Sequence, residues 1–156
     1  MLKVAIIMGS KNDLEVVKPA QTMLERFGVE YVTKVLSAHR TPDAAAEFSK
    51  TAAASGYGVL ICAAGKSAHL GGVMAAHTTL PVIGLPIKSS FMDGLDSLLS
   101  IVQMPTGVPV ACVAVNGADN AAILAVQMLA LSEPVLAEKL AAYKNEMAEA
   151  ILATTL

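Results

Sequence analysis

The sequence predicts a three-layer α/β/α fold on a five-stranded parallel sheet, and three observations predict it. Five short apolar runs recur along the chain, without the apolar–polar alternation of a strand that has one wet face. Longer helical patterns separate them, so each strand-to-strand connection reads as a crossover. The 156 residues are enough for one domain with a buried core, placed at 1–156.

Residues 3–8 read as the first strand, and Gly9-Ser10-Lys11-Asn12-Asp13 leads into a helix that reaches Phe27 and stops at Gly28. Pro19 falls inside that helix, where its missing N–H predicts a kink or an interrupted ladder. Residues 31–36 form the second strand, Ser37-Ala38-His39-Arg40 follows, and Thr41-Pro42-Asp43 starts a helix ending near Gly56. Residues 59–63 are the third strand, leading through Gly65-Lys66-Ser67-Ala68-His69-Leu70-Gly71-Gly72 to a short helix. Residues 81–86 are the fourth strand, with a helix over 93–104 after it, and residues 110–115 are the fifth. Asn116-Gly117-Ala118-Asp119 caps an Ala-rich helix to Leu131, and Pro134 opens a last helix. Leu136, Leu140, Tyr143, Met147 and Ile151 form one stripe on it, to be covered by this sheet or by a neighbouring subunit. The expected architecture is therefore flavodoxin-like, with strand order 2-1-3-4-5 and an extra C-terminal helix.

Composition narrows the function classes. A formal net charge of −2 provides no basic surface for nucleic acid. No apolar run reaches the length of about 18 residues that spans a bilayer, so no membrane role is expected. The amino terminus opens into a strand pattern with no signal or transit peptide, which predicts a cytoplasmic protein. Hydrophobic residues make up 54% of the chain and aromatics only 4%, so Ala and Val fill the interior. The mean hydropathy of +0.59 predicts surplus apolar surface between subunits of a homo-oligomer. Cys62 and Cys112 each sit in an apolar run and read as reduced, buried small residues rather than a disulfide or metal pair.

Ligands of open parallel sheets bind beyond the carboxyl ends of the strands, near the switch in winding direction. Of 11 Lys and Arg residues, Lys11, Arg40, Lys66 and Lys88 fall in the loops at that end, which suits an anionic ligand. Gly9-Ser10 ahead of Asp13 offers a tight turn, a hydroxyl and N–H groups at a helix start, fitting a phosphate, although Ser10 and Asp13 also suit plain helix capping. Arg40 can clamp a phosphate bidentately. Gly65-Lys66-Ser67 invites a nucleoside-triphosphate reading, but Leu60 stands where the Walker pattern needs glycine. His39 sits beside Arg40 in the crevice and His69 in the Gly-rich loop, each an acid/base candidate or an ordinary loop histidine, while His77 reads as a surface residue. No third ligand at metal-site spacing accompanies them.

Four motifs then carry a resemblance: Met8-Gly9-Ser10-Lys11-Asn12-Asp13, Ser37-Ala38-His39-Arg40-Thr41-Pro42-Asp43, Ala68-His69-Leu70, and the stretch from Gly94-Leu95-Asp96 to Gln103-Met104-Pro105. Together they resemble the PurE family of purine biosynthesis over nearly the whole chain. The resemblance implies an octamer of flavodoxin-like subunits working on a phosphorylated imidazole ribonucleotide, without metal or organic cofactor. It implies that Ser10 and Asp13 hold phosphate and ribose, with Ser37 and Arg40 on the phosphate. His39 would be the general acid/base, and Ala68, His69 and Leu70 would line the imidazole and carboxylate pocket. The implied reaction moves a carboxylate from an exocyclic nitrogen to ring carbon C4, with CO₂ as an enzyme-held intermediate.

One segment departs from the pattern. Mutases of the family usually carry Gly-Ala-Gly-Gly/Met-Ala-Ala-His-Leu-Pro-Gly, where this chain reads Ala63-Ala64-Gly65-Lys66-Ser67-Ala68-His69-Leu70-Gly71-Gly72. Its Ala-Gly-Lys-Ser is similar to the Ala-Gly-Arg-Ser of the related carboxylases, which fix CO₂ directly onto aminoimidazole ribonucleotide. Arg40, where those carboxylases usually carry Lys, and Ala68-His69-Leu70 favour the mutase branch. A non-catalytic flavodoxin-like module is the alternative from another class; a flavin binder calls for aromatic residues in the crevice loops, and those after the first three strands have none.

Overall fold

The computed structural model of the chain describes residues 1–155. Strands β1 (Lys3–Met8), β2 (Tyr31–Val35), β3 (Tyr57–Gly65), β4 (Val82–Ile87) and β5 (Ala111–Cys112) form one sheet in the order β2-β1-β3-β4-β5. Every neighbouring pair is parallel. The helices are α1 (Leu14–Phe27), α2 (Pro42–Thr51), α3 (Leu70–His77), α4 (Leu95–Val102), α5 (Ala118–Ala130) and α6 (Pro134–Leu152). Fold and strand order are those expected from the sequence.

Successive side chains of a strand point to opposite faces, and both faces here are apolar. Val4, Ile6 and Met8 of β1 join Val59, Ile61 and Ala63 of β3 in a core closed by α1, α5 and the start of α6. Ala5, Ile7, Leu60 and Cys62 face the other way, into a core that takes Ala45 of α2, Leu70 and Met74 of α3 and Ile101 of α4. Small residues let helices approach closely. A Cβ on Gly84 of β4 would lie 2.2 Å from Ile101 Cγ2, so glycine is what admits α4 to this face.

Several boundaries differ from the sequence expectation, each for a physical reason. Pro19 does not break α1, which runs unbroken from Leu14 to Phe27. Pro19 and Glu15, whose carbonyl loses its partner, are both exposed, so the orphan acceptor lies on the solvent side of the helix. Gly28 ends α1 as expected, in the left-handed conformation at φ 72°. Strand β5 is two residues long rather than six positions from 110 to 115. Its neighbour β4 carries Pro86, which has no N–H for the ladder, and the chain continues beside it on single bonds from Val113 to the Gly84 carbonyl (3.3 Å) and from Asn116 to the Pro86 carbonyl (2.8 Å). Helix α3 begins at Leu70 and takes in Gly71 and Gly72, because Gly71 is buried against Cys62 and Gly84 of the sheet. Helix α2 ends at Thr51, before turns that lead to Gly56 at φ 81°.

The stripe on α6 divides. Leu136 and Leu140 are buried in this chain's own core, and Tyr143 meets Phe27 edge-on at 5.6 Å. Ile151 is 74% exposed and Met147 43%, so the far half of the stripe has no cover within the chain. Among the described residues no helix is long and apolar enough to cross a membrane.

Candidate active site

The loops that leave the carboxyl ends of β1, β2, β3 and β4 enclose a cleft of about 580 Å³. It lies across β1 and β3, the neighbouring strands from which the chain winds in opposite directions along the sheet. Ser10, Asp13, Ser37, His39, Arg40, His69 and Leu70 all line it, as do Lys66 and Lys88. Ala68 does not. It is 1% exposed and faces the core beneath the loop, so it supports the wall without forming it.

On the β1 side, Ser10 caps a single 3-10 turn, Lys11–Asp13, by accepting the Asn12 N–H at its Oγ (3.2 Å). Asp13 makes no capping bond to α1, and its carboxyl is pushed up from the ordinary aspartate value. Burial is the larger cause, opposed by a backbone hydrogen bond at Ser10 and by the Arg40 charge. Capping thus accounts for Ser10 but not for Asp13.

The loop after β2 is tied to itself. Thr41 Oγ1 accepts the Ser37 N–H (2.9 Å) and donates to the Ser37 carbonyl (3.1 Å). Ser37 Oγ accepts from the backbone N–H groups of His39 (3.3 Å) and Arg40 (3.1 Å) and from Arg40 Nε (3.4 Å). With its lone pairs so engaged, the hydroxyl proton is left to donate. Arg40 also reaches across to β1, where Nη2 donates to the Gly9 carbonyl (2.6 Å). The guanidinium is thereby fixed beside Ser10 and Asp13, with further N–H groups to offer an anion.

The loops after β2 and β3 meet through their histidines. His39 Nε2 and His69 Nδ1 are 2.8 Å apart, and the rings cross at 79°. A bond between two imidazole nitrogens needs one N–H and one bare lone pair, so the pair shares a proton on that axis. No third His, Cys, Asp or Glu joins them as a metal-ligand group among the described residues. His77 is exposed at the end of α3 and takes no part in the cleft. Cys62 lies buried in β3, where burial pushes its thiol up to about 12, far from a thiolate nucleophile; Cys112 is half-buried.

The third edge of the cleft carries residues that spacing alone did not single out. Ile87 and Ser89 line it, on either side of Lys88 at the end of β4. The signal was their position after a strand, which also marked Lys88. Among the described residues no Phe, Tyr or Trp lines the cleft, which therefore offers no ring to sandwich a flavin.

The family model for AIR carboxylase matches residues 3–150. The chain is 55% identical over 147 residues to N5-carboxyaminoimidazole ribonucleotide mutase of Pyrococcus abyssi, covering 94% of this chain and 84% of that protein. It is 51% identical over 156 residues to the mutase of the same name from Saccharolobus solfataricus, covering 100% and 99%. The chloroplastic phosphoribosylaminoimidazole carboxylase of Vigna aconitifolia is 51% identical over 94% of this chain, which spans 26% of that longer protein. Among solved structures, PurE of Treponema denticola superposes with a TM-score of 0.88 at 29% identity, over 96% of this chain and 93% of that one. A cationic cleft at the switch point of a 2-1-3-4-5 sheet and a sequence match over almost its entire length lead to one conclusion: the chain belongs to the AIR carboxylase family.

Proposed function

We propose that this chain, acting as one catalytic domain, is a purine-biosynthesis isomerase that converts 5-(carboxyamino)imidazole ribonucleotide to 4-carboxy-5-aminoimidazole ribonucleotide. The observation that carries the reading is the bonded His39–His69 pair beside a fixed Arg40, which sets a proton-transfer group next to an anion anchor. Relatives bearing the mutase name at 51–55% identity support it.

In this reading Arg40, Ser37 and Ser10 take the phosphate, and Asp13 takes the ribose hydroxyls. The bond between the exocyclic nitrogen and the carboxylate carbon breaks, its electrons stay on nitrogen, and His39 delivers the proton found there. The CO₂ released stays in the cleft, where C4 attacks it to form the new C–C bond. His39 then removes the C4 proton and aromaticity returns. One imidazole performs both transfers because a ring nitrogen that has given up its proton can accept one back, and CO₂ set free beside C4 needs no capture from solution. His69 and Leu70 wall the ring end. No metal or organic cofactor enters this scheme.

A second reading, direct carboxylation of aminoimidazole ribonucleotide by CO₂, is favoured by Lys66-Ser67 in the β3–α3 loop, a polar handle for a carboxyl group. Side-by-side turnover of the two ribonucleotides in labelled bicarbonate separates them. The mutase reading expects rapid conversion of the carboxyamino substrate with little label in the product. Efficient use of aminoimidazole ribonucleotide plus bicarbonate, with none of the carboxyamino substrate, would remove it.

A cytoplasmic homo-octamer is the proposed working form. Leu95, Leu99 and Val102 make an exposed apolar stripe on α4, beside exposed Phe91 and Met92, and Ile151 and Leu152 form another at the end of α6. Surfaces of this kind call for a partner of the same chemistry, and a second copy supplies it.

A further inference from the structure

We propose that Lys66 is the carboxylate subsite of the cleft, an anion contact separate from the phosphate side, and so the residue that discriminates carboxylated from uncarboxylated ribonucleotide. The inference rests on the substrate class proposed above and names the group that one part of the site binds.

The cations of the cleft are not equivalent. Arg40 is committed to the Gly9 carbonyl and to Ser37 Oγ. Lys88 Nζ is paired with Asp93 Oδ1 at 3.0 Å. Lys66 lines the cleft and meets no carboxylate among the described residues. It is the cleft's uncommitted positive charge.

Its backbone sets it there at a cost. Lys66 stands in the left-handed region at φ 55°, where glycine sits freely and a residue with a Cβ does not. The conformation is pinned from the far side. The Lys66 carbonyl accepts the Ala68 N–H (2.9 Å) and the Ser100 hydroxyl (3.4 Å), and the Ser67 carbonyl accepts the His69 N–H (2.9 Å). The same turn that strains Lys66 thus delivers His69 to His39. A side chain carried by a strained position over a ligand cleft is an expected mark of function.

Placement selects the ligand group. The phosphate donors belong to the loops after β1 and β2, whereas Lys66 follows β3, beyond the His39–His69 bond and next to the end of β4. A ribonucleotide with its phosphate at Arg40 and its ring at the histidines directs the ring substituents towards Lys66. The transferred group is an anionic carboxylate before and after the reaction and neutral CO₂ between. A cationic side chain attracts both anionic end states and not the neutral intermediate. Lys66 therefore adds affinity for substrate and product without lowering the barrier between them.

The test measures binding of two ligands that differ only in the carboxylate, 4-carboxy-5-aminoimidazole ribonucleotide and 5-aminoimidazole ribonucleotide. Lys66→Met is expected to weaken the first about ten-fold, the scale of one exposed charge-assisted contact, and to leave the second within about two-fold. Retained binding of the second shows that the variant is folded, and Lys66→Gln serves should Met disturb the turn. Lys66→Arg is expected to restore the preference. Equal weakening of both ligands places Lys66 on the phosphate and overturns the subsite; unchanged binding of both overturns it as a solvated surface charge. If the unaltered protein binds neither ligand, the proposed substrate class itself fails and the subsite falls with it.

Discussion

His39 Nε2 and His69 Nδ1 stand 2.8 Å apart, so one imidazole of the pair donates and the other accepts. The bond fixes where the bare lone pair and the N–H of each ring point, which a single loop histidine leaves to solvent. The acid/base work proposed for His39 needs that definition, because it calls for a proton delivered in one step and taken back in the next.

His39→Asn is accordingly expected to keep the substrate and lose turnover. Asparagine can hydrogen-bond to His69 but cannot cycle a proton. Loss of a general acid/base costs about 10²- to 10⁴-fold in rate. Steady-state turnover beside equilibrium binding of the product checks it; near-normal turnover sinks the assignment.

Arg40→Ala is expected to act in the opposite way. It removes the proposed charge-assisted phosphate contact, about 1.5–3 kcal/mol in typical cases, together with the tie to Gly9. Affinity for a phosphorylated product analogue is expected to fall about ten-fold or more, whereas the dephosphorylated nucleoside binds both proteins alike. A rate loss with unchanged affinity shows that the guanidinium serves another step.

The two functional loops differ in how far the sequence revealed them. Ser10, Asp13, Ser37 and Arg40 were legible because a switch-point crevice gathers the residues that directly follow its strands, and those follow β1 and β2. The contact between His39 and His69 was not, because it joins positions 30 apart through a turn that depends on Lys66 taking a positive φ. Local propensity assigns that conformation to glycine, not lysine. Ala68 shows the reverse limit: motif membership placed it in the pocket wall, and the alternation of the loop turned it into the core. Strand apolarity and the helical crossovers made the parallel sheet legible, whereas the short β5 depended on a proline in the neighbouring strand, which no single-strand pattern contains.

Asp13→Asn is expected to stabilise the ligand-free protein near neutral pH while weakening the ribonucleotide. Burial raises the Asp13 carboxyl above its ordinary value of 3.8, so the folded state penalises the ionised form. The penalty is full above the raised folded value and vanishes below 3.8, where the group is neutral in both states. The stability advantage of the amide therefore shrinks as pH falls through that window. Thermal melts across the acid range check it; a gain that grows on acidification has the wrong sign.

Gly84→Ala tests the close approach of α4 to the sheet. The added Cβ meets Ile101 Cγ2 at 2.2 Å and Val110 Cγ1 at 3.2 Å, in a buried core with little room to give. Overpacking of this kind costs about 1–3 kcal/mol, or roughly 2–10 °C in Tm for a chain of this size. Scanning calorimetry reads the shift. A melting temperature equal to the parent's shows that α4 slides away freely, and that glycine is not what admits it.

The exposed stripe on α4 gives the last prediction. Leu95, Leu99 and Val102 follow helical spacing, and Leu99 is 49% exposed in the single chain. A solvated helix face spends such positions on charge, and α4 places none of its leucines opposite a basic residue of its own. If the stripe is covered by a second copy, light scattering at micromolar protein finds an octamer, and Leu99→Asp, which buries a charge in the joint, shifts the population towards smaller species. The substitution faces solvent in an isolated chain, so helical circular dichroism stays at the parent level. A parent that is a stable monomer removes the octamer altogether. An octamer that Leu99→Asp leaves intact moves the joint elsewhere, to the exposed Ile151 and Leu152 of α6.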